Sequence, residues 1–232
     1  MKETILVVDD EKEIADLLEL YIGGEGYSVV KAYTGAEALE TLRRQPVSLA
    51  LLDVMLPDIS GFELCRRIRE EFVFPIIMLT ARTSDIDKIN GLTLGADDYV
   101  TKPFNPLEVT ARVKTQLRRF TRYNSGEQKK EEKYFYDRNG LVVDRETHTC
   151  TLYGKAIQLT PIEFDILCCL CSHAGRVVSS EELFEEVWKE AYFEGNNTVM
   201  AHIARLRQKL NEPPRKPKFI KTVWGVGYKI DP

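Results

Sequence analysis

Residues 49–72, LALLDVMLPDISGFELCRRIREEF, hold the pattern on which the fold turns. Leu49-Ala50-Leu51-Leu52 is a short unbroken apolar run, the mark of a strand covered on both faces, and it stops at a carboxylate, Asp53. A loop follows, and then helical spacing from Phe62 to Phe72. The same unit recurs on either side. Upstream, Thr4-Ile5-Leu6-Val7-Val8 reads as a first strand and Glu11 to Tyr21 as a helix with Ile14, Leu17, Leu18 and Tyr21 on one side. Tyr27-Ser28-Val29-Val30 is a second strand and Gly35 to Arg43 a second helix. Downstream come strand Ile76 to Leu79, helix Asp85 to Leu94, strand Asp98-Tyr99-Val100, and helix Pro106 to Arg119. Five strand–helix units in succession predict an α/β architecture, a doubly wound parallel five-stranded sheet of the flavodoxin-like kind.

Beyond that point the pattern changes. Arg122 to Glu132 (RYNSGEQKKEE) is polar and lacks apolar periodicity, so it reads as a linker between a domain at 1–121 and a second at 133–232. The second begins with short strand-like segments, Tyr134 to Tyr136, Leu141 to Val143, Cys150 to Tyr153 and Ile157 to Leu159. Three helices follow, each with a start signal: Thr160-Pro161-Ile162-Glu163, Ser179-Ser180-Glu181-Glu182, and Asn196-Asn197 ahead of Thr198 to Leu210. Phe219 to Val223, Trp224-Gly225 and Gly227 to Ile230 predict a closing hairpin. Strands, three helices and a terminal hairpin describe a winged helix-turn-helix.

The 232 residues suit two modest domains, and the net charge of −4 conceals an uneven distribution. Residues 1–121 carry 15 Lys/Arg against 20 Asp/Glu, whereas residues 196–232 carry 8 against 2. Phosphate would feel the local basic patch, not the average. The first residues lack the regions of a signal peptide and no apolar run approaches bilayer length, so the chain is expected in the cytosol. Five cysteines, Cys65, Cys150, Cys168, Cys169 and Cys171, form an odd set with three crowded into one apolar helix; core packing is expected there, with no ligand at matching spacing for a metal.

In an open parallel sheet, ligands lie outside the carboxyl ends of the strands. The residues at those ends are Asp9 and Asp10 after the first strand, Asp53 after the third, Thr80 after the fourth and Lys102 after the fifth. Any one acid there could simply cap a helix, but five such groups at one edge point to shared chemistry. Clustered acids repel one another and suit a hard divalent cation, Mg²⁺ above all. With Lys102 as a second cation and Thr80 as donor, Asp53 is placed as a nucleophile that forms an aspartyl-phosphate.

The stretches ILVVDDE, LLDVMLPDISGFELC, PIIMLTAR and GADDYVTKPF resemble the receiver domain of two-component response regulators over residues 4–120. LTPIEFDILCCL, VVSSEELFEEVW, NNTVMAHIARLRQKL and IKTVWGVGYKI resemble the winged-helix output domain of the OmpR/PhoB family over residues 133–232. The VWGVGYK ending and the GLTLGADDY text are similar to VanR-like regulators of glycopeptide resistance. The resemblance implies phosphoryl transfer from a membrane sensor histidine kinase to Asp53. It implies Mg²⁺ held by Asp10, Asp53 and the backbone carbonyl of Met55 with Asp9 in support, phosphoryl contacts from Thr80 and Lys102, and Thr80 with Tyr99 as a switch pair. It also implies a cis Lys102-Pro103 step, and a homodimer of the phosphorylated form in which Lys88 pairs with Glu108, Asp97 with Arg119 and Asp98 with Arg112 across a two-fold axis. Output would be binding to double-stranded promoter DNA, as an activator, with RNA polymerase as a further partner.

The helix from Thr198 buries Val199, Ile203, Leu206 and Leu210 by spacing and sets Thr198, His202, Arg205 and Lys209 on another face. Arg205 and His202 are expected on base edges, with Asn197, Thr198 and Arg207 on phosphates or groove walls and Lys221 neutralising charge. Many members of the family carry a basic residue where this chain has Trp224, which is left with two readings, packing on the DNA backbone or tucking into the core. Two other functions compete. A phosphate-ester hydrolase would need a second general acid two residues after the nucleophile, and Met55 stands there; a phosphorylation-independent nucleic-acid binder would have no use for the intact acid set.

Overall fold

The computed structural model describes residues 2–80, 95–125, 135–189, 198–213 and 216–232. The chain divides into two compact units, Met1–Arg122 and Tyr123–Pro232.

In the first unit, strands β1 (Thr4–Val8), β2 (Ser28–Ala32), β3 (Leu49–Asp53), β4 (Ile76–Thr80) and β5 (Asp98–Thr101) form one sheet in the order β2-β1-β3-β4-β5. All four pairings are parallel. Helices α1 (Lys12–Gly24), α2 (Gly35–Arg44), α3 (Gly61–Glu71) and α4 (Pro106–Ser125) belong to the same unit. The alternation of a strand sorts its side chains between two cores. Leu49 and Leu51 of β3 join Ala15, Leu18 and Ile22 of α1 and Val109, Val113 and Leu117 of α4. Ala50 and Leu52 join Ala38 and Leu42 of α2 and Leu64, Cys65 and Ile68 of α3. Each buried aliphatic side chain is worth about 1.5–3 kcal/mol, so β3, covered on both faces, anchors the unit. The predicted helix 85–94 lies outside the described residues. α4 runs on through Arg122 to Ser125, the first part of the predicted linker, since no Gly or Pro interrupts it before Gly126.

In the second unit, β6 (Phe135–Arg138), β7 (Leu141–Asp144), β8 (Thr149–Leu152) and β9 (Lys155–Ala156) make an antiparallel meander. The fourth strand starts two residues earlier than its apolar run suggests. Tyr153 and Gly154 both have positive φ (50° and 77°), so a two-residue turn pairs Leu152 directly with Lys155. Helices α5 (Pro161–Ser172), α6 (Ser180–Trp188) and α7 (Thr198–Lys209) follow, then the hairpin β10 (Lys221–Val223) and β11 (Gly227–Lys229). α5 starts on the expected capping box: Thr160 N–H donates to Glu163 Oε2 at 2.8 Å while Thr160 Oγ1 accepts from Glu163 N. Ser179 caps α6 through the Glu182 amide at 3.0 Å.

Candidate functional site

The carboxyl edge of the first sheet gathers the expected groups. Asp9 leaves β1 fully buried, Asp53 closes β3 nearly so, and Asp10 is exposed. One carboxylate oxygen of each lies within 4.8 Å of the others. Lys102 Nζ bridges two of them, donating to Asp9 Oδ2 and Asp53 Oδ2 at 2.8 Å each, with Glu11 Oε1 at 3.5 Å. The other oxygen of Asp53 accepts from the Met55 amide at 3.2 Å, and Asp9 Oδ1 accepts from Glu11 N at 3.1 Å. Burial pushes the Asp9 carboxyl above its ordinary value, even against Lys102. Burial works against the Lys102 charge too, but its bonds to Asp53 and Asp9 outweigh that and raise its pKa. Among the described residues, three carboxylates meet one ammonium, which leaves them short of positive charge. An oxygen-only donor set at this separation fits a hard divalent cation.

Thr80 is buried at the end of β4, and its carbonyl accepts from Lys102 N at 2.6 Å. Tyr99, half-buried on β5, pairs in register with Met78. The Lys102–Pro103 peptide is cis. Two residues not singled out in the sequence shape this edge. A Cβ at Gly61 would stand 1.9 Å from the Asp53 carbonyl oxygen, so only glycine lets α3 begin against the end of β3. Asp58 reaches across to the start of α2, accepting from Gly35 N and Ala36 N at 2.9 Å each; burial alone would raise its carboxyl, but these donors hold it below its ordinary value. Their signal was the loop text PDISG, whose acid faces a helix start 23 residues earlier, a pairing no local pattern encodes.

The charged residues expected at a dimer face separate into two groups. Arg112 reaches Asp98 Oδ2 at 3.0 Å and Glu108 Oε1 at 3.1 Å within its own chain, and Arg119 lies further along α4. Asp97 corrects the expectation. It is fully buried, and its Oδ2 accepts from Ile76 N at 2.8 Å and from Arg69 Nη2 at 2.5 Å. Within its own chain that carboxylate ties the approach to β5 onto β4 and α3. Lys88 lies outside the described residues.

The second unit brings a second correction. On α7, His202 is 0% exposed and Arg205 7%, and Thr198 is buried. His202 packs on the Trp188 ring at 5.4 Å, and Arg205 Nη2 contacts its imidazole at 2.6 Å. Arg205 Nε lies 3.9 Å from Glu163 Oε1 and Lys209 Nζ 2.6 Å from Glu163 Oε2, so a buried carboxylate on α5 draws both cations inward. The carboxylate that faces these cations comes from another helix, which spacing along one helix could not show. Arg207 is also engaged: it donates to the Ile220 carbonyl at 2.7 Å and to Thr222 Oγ1 at 2.8 Å, fastening α7 to β10. The solvent side of α7 is Met200, Ala204 and Gln208. Trp224 resolves its two readings by standing 90% exposed at the hairpin tip. Lys221 bonds Asp231, and Asn197 lies outside the described residues.

The description "Response regulator receiver domain" matches residues 5–114, and "Transcriptional regulatory protein, C terminal" matches residues 154–230. The regulatory protein VanRc of Enterococcus gallinarum is 60% identical over the full length of both chains, and VanR of Enterococcus faecium 52% over the full length of both. The chain belongs to the two-component response regulators of the OmpR/PhoB type. Among solved structures, the response regulator DrrB, a Thermotoga maritima OmpR/PhoB homolog, is 37% identical over all of both chains with a TM-score of 0.50.

As a response regulator with a transcriptional regulatory C-terminal domain, the protein works in DNA-binding transcription regulation. Among the described residues no helix is long and apolar enough to cross a membrane. All five cysteines of this response regulator are free and buried. Cys169 does have neighbours of ligand type that its spacing did not suggest, His173 and Glu186, with ligand atoms within 4.8 Å of one another. His173 Nδ1 donates to the Cys169 carbonyl at 2.9 Å, and burial pushes the Cys169 thiol well up, which suits a packed thiol.

Proposed function

We propose that Asp53 is the phosphoacceptor of this response regulator and that its phosphorylation drives dimerisation and promoter binding. The observation that carries this is the Lys102 ammonium at 2.8 Å from both Asp9 and Asp53, beside Asp10, at the carboxyl edge of a parallel sheet. An Asp53 carboxylate oxygen forms the new P–O bond as the P–N bond of a sensor-kinase phosphohistidine breaks. The departing imidazole keeps the electron pair and takes its proton from solvent. Lys102, held by two carboxylates, lies where a phosphoryl oxygen on Asp53 would arrive, and Thr80 supplies a hydroxyl from the next strand. Asp10, Asp53 and the Met55 carbonyl would hold Mg²⁺ with Asp9 in support, and the cation would neutralise the phosphoryl oxygens. Tyr99 and Thr80 form the switch pair on neighbouring strands β5 and β4.

The homodimer would use Asp98, Glu108, Arg112 and Arg119, exchanging the intrachain Arg112 pairs for equivalent pairs across a two-fold axis. Exposed pairs are worth roughly 0–1 kcal/mol each, which suits a reversible dimer. The partners are a membrane sensor kinase, duplex promoter DNA and RNA polymerase, in the cytosol. The similarity to the regulatory proteins VanR and VanRc supports a place in antibiotic resistance, with glycopeptide resistance as the proposed pathway and activation as the proposed output.

The test compares wild type with Asp53→Ala by intact mass and sedimentation, with Mg²⁺ and a small acyl-phosphate donor. One added phosphoryl group and a dimer are expected in wild type alone. A phosphoryl group on both chains places the acceptor elsewhere.

A further inference from the structure

The tip of the β10–β11 hairpin carries two exposed apolar side chains. Trp224 is 90% exposed and Val226 57%, both on the β10–β11 turn. Leaving an indole in water forfeits one of the largest burial energies any side chain offers, and exposed apolar groups held in place mark a contact surface.

The tip is held. Val226 N donates to the Val223 carbonyl at 3.0 Å and Gly225 has φ +73°, which closes a tight turn with Trp224 at its outer corner. The base of the hairpin is fixed as well. Tyr228 and Val178 exchange backbone hydrogen bonds at 2.8 and 2.9 Å, and a Cβ on Gly227 would stand 2.1 Å from the Val178 carbonyl oxygen. Arg207 fastens this hairpin to α7 through the Ile220 carbonyl and Thr222. Helix and tip therefore meet one ligand at a fixed offset. That ligand is the duplex of the DNA-binding reading, and Lys229, in register with the Asp231-paired Lys221, adds positive charge below the tip.

Resting on the DNA-binding reading of the second unit, we propose that Trp224 and Val226 form an apolar wedge that enters the minor groove and opens a base step of the bound duplex. With α7 against the major groove, the tip reaches the neighbouring minor groove. There an aromatic face gains by stacking on an unstacked base, and apolar wedges of this sort kink the duplex. The step that opens most easily is pyrimidine–purine, TA or CA/TG. The wedge is thus a specificity element: it requires such a step at a fixed distance from the bases read by α7, in place of a charge that would read groove width.

The experiment selects binding sites from a random-sequence duplex pool with the full phosphorylated chain, wild type and Trp224→Ala. The selected wild-type duplex is then measured with 2-aminopurine at the step and with dyes at its ends. The wild-type sites are expected to share a pyrimidine–purine step at constant spacing. Binding should raise 2-aminopurine emission and shorten the end-to-end distance. Trp224→Ala, whose side chain leaves no cavity, should keep the α7-read bases, lose the step and both signals, and bind about tenfold more weakly. Trp224→Lys separates wedge from backbone contact: restored affinity with no 2-aminopurine signal is expected. If Trp224→Ala selects the same step, or bends and unstacks the duplex like wild type, the wedge is overturned while DNA binding stands. If neither chain enriches any duplex, the DNA-binding reading fails and the wedge with it; an exposed tip that binds another protein would then be the remaining account.

Discussion

Glu163 is the residue on which the second unit depends most, and its removal has a calculable consequence. The carboxylate is fully buried, accepts from Thr160 N at 2.8 Å and Lys209 Nζ at 2.6 Å, and lies 3.9 Å from Arg205 Nε. Glu163→Ala strands two cations and removes the Glu163 half of the capping box of α5. Removing one partner of a buried pair costs about 3–5 kcal/mol, because the remaining charge keeps its desolvation penalty. Lys209 keeps 30% of its side chain exposed and can turn to water, whereas Arg205 keeps only 9%. The lower end, about 3 kcal/mol, is therefore expected, a large fraction of the roughly 5–15 kcal/mol that holds a domain folded. Urea unfolding of the full chain followed by tryptophan emission isolates this unit, since both tryptophans, Trp188 and Trp224, lie in it. Burial alone would raise the Glu163 carboxyl, but Arg205 and Lys209 hold it below its ordinary 4.5. A depressed folded value means the stabilisation is complete above that pH and fades as pH falls through the folded value. The gap between wild type and Glu163→Gln should therefore be constant near neutrality and narrow on acidification below about 4.5. A loss under 1 kcal/mol for Glu163→Ala, or a gap that widens in acid, would refute the buried ion-pair account.

Asp97→Ala leaves Arg69 and the Ile76 amide without their buried acceptor and should cost about 3 kcal/mol in the first unit, read by far-UV circular dichroism melts; a dimer-interface residue would leave the monomer unchanged. Gly61→Ala drives a Cβ into the Asp53 carbonyl and should slow phosphorylation by an acyl-phosphate donor at least about tenfold, as displaced reacting groups do, measured by intact mass over time. Arg207→Ala frees the hairpin from α7 and should weaken binding to a selected duplex about tenfold while leaving phosphorylation intact, measured by anisotropy and mass in parallel.

The acid pocket was legible because strand ends in a parallel sheet share one edge by topology, so Asp9, Asp10, Asp53, Thr80 and Lys102 could be grouped from strand assignments alone. Capping signals were equally local, and Thr160 and Ser179 sit where their text placed them. Asp97 and Arg205 are placed by elements distant in sequence. Helical spacing assigns a side to each residue, but which side faces water depends on what another element brings up to it. Arg69 comes from α3 and Glu163 from α5, and each turns a charge inward against its pattern. Gly61 and Asp58 were missed for a related reason: both act on backbone atoms distant in sequence. Trp224 was the opposite case, where composition favours burial and a Gly225 turn with positive φ holds the indole out.

The two units place their central charges in contrasting ways. In the second, Glu163 is outnumbered by cations and closed off from water, a geometry that resists change. In the first, Lys102 is the cation that serves Asp9 and Asp53 among the described residues, and the third carboxylate, Asp10, opens to solvent. Converting the Asp53 carboxylate to an acyl phosphate moves the charge that Lys102 serves there outward onto the phosphoryl oxygens, which draws the ammonium away from its position between Asp9 and Asp53. Lys102 is joined through its own amide to the Thr80 carbonyl at 2.6 Å, and Thr80 pairs with Thr101 on β5. A shift of Lys102 is therefore felt by the strand that begins at Asp98, whose partner is Arg112 on α4. With Asp53 as phosphoacceptor, the route from phosphorylation to the charged face needs no long relay: one lysine, one strand pairing and one ion pair connect them.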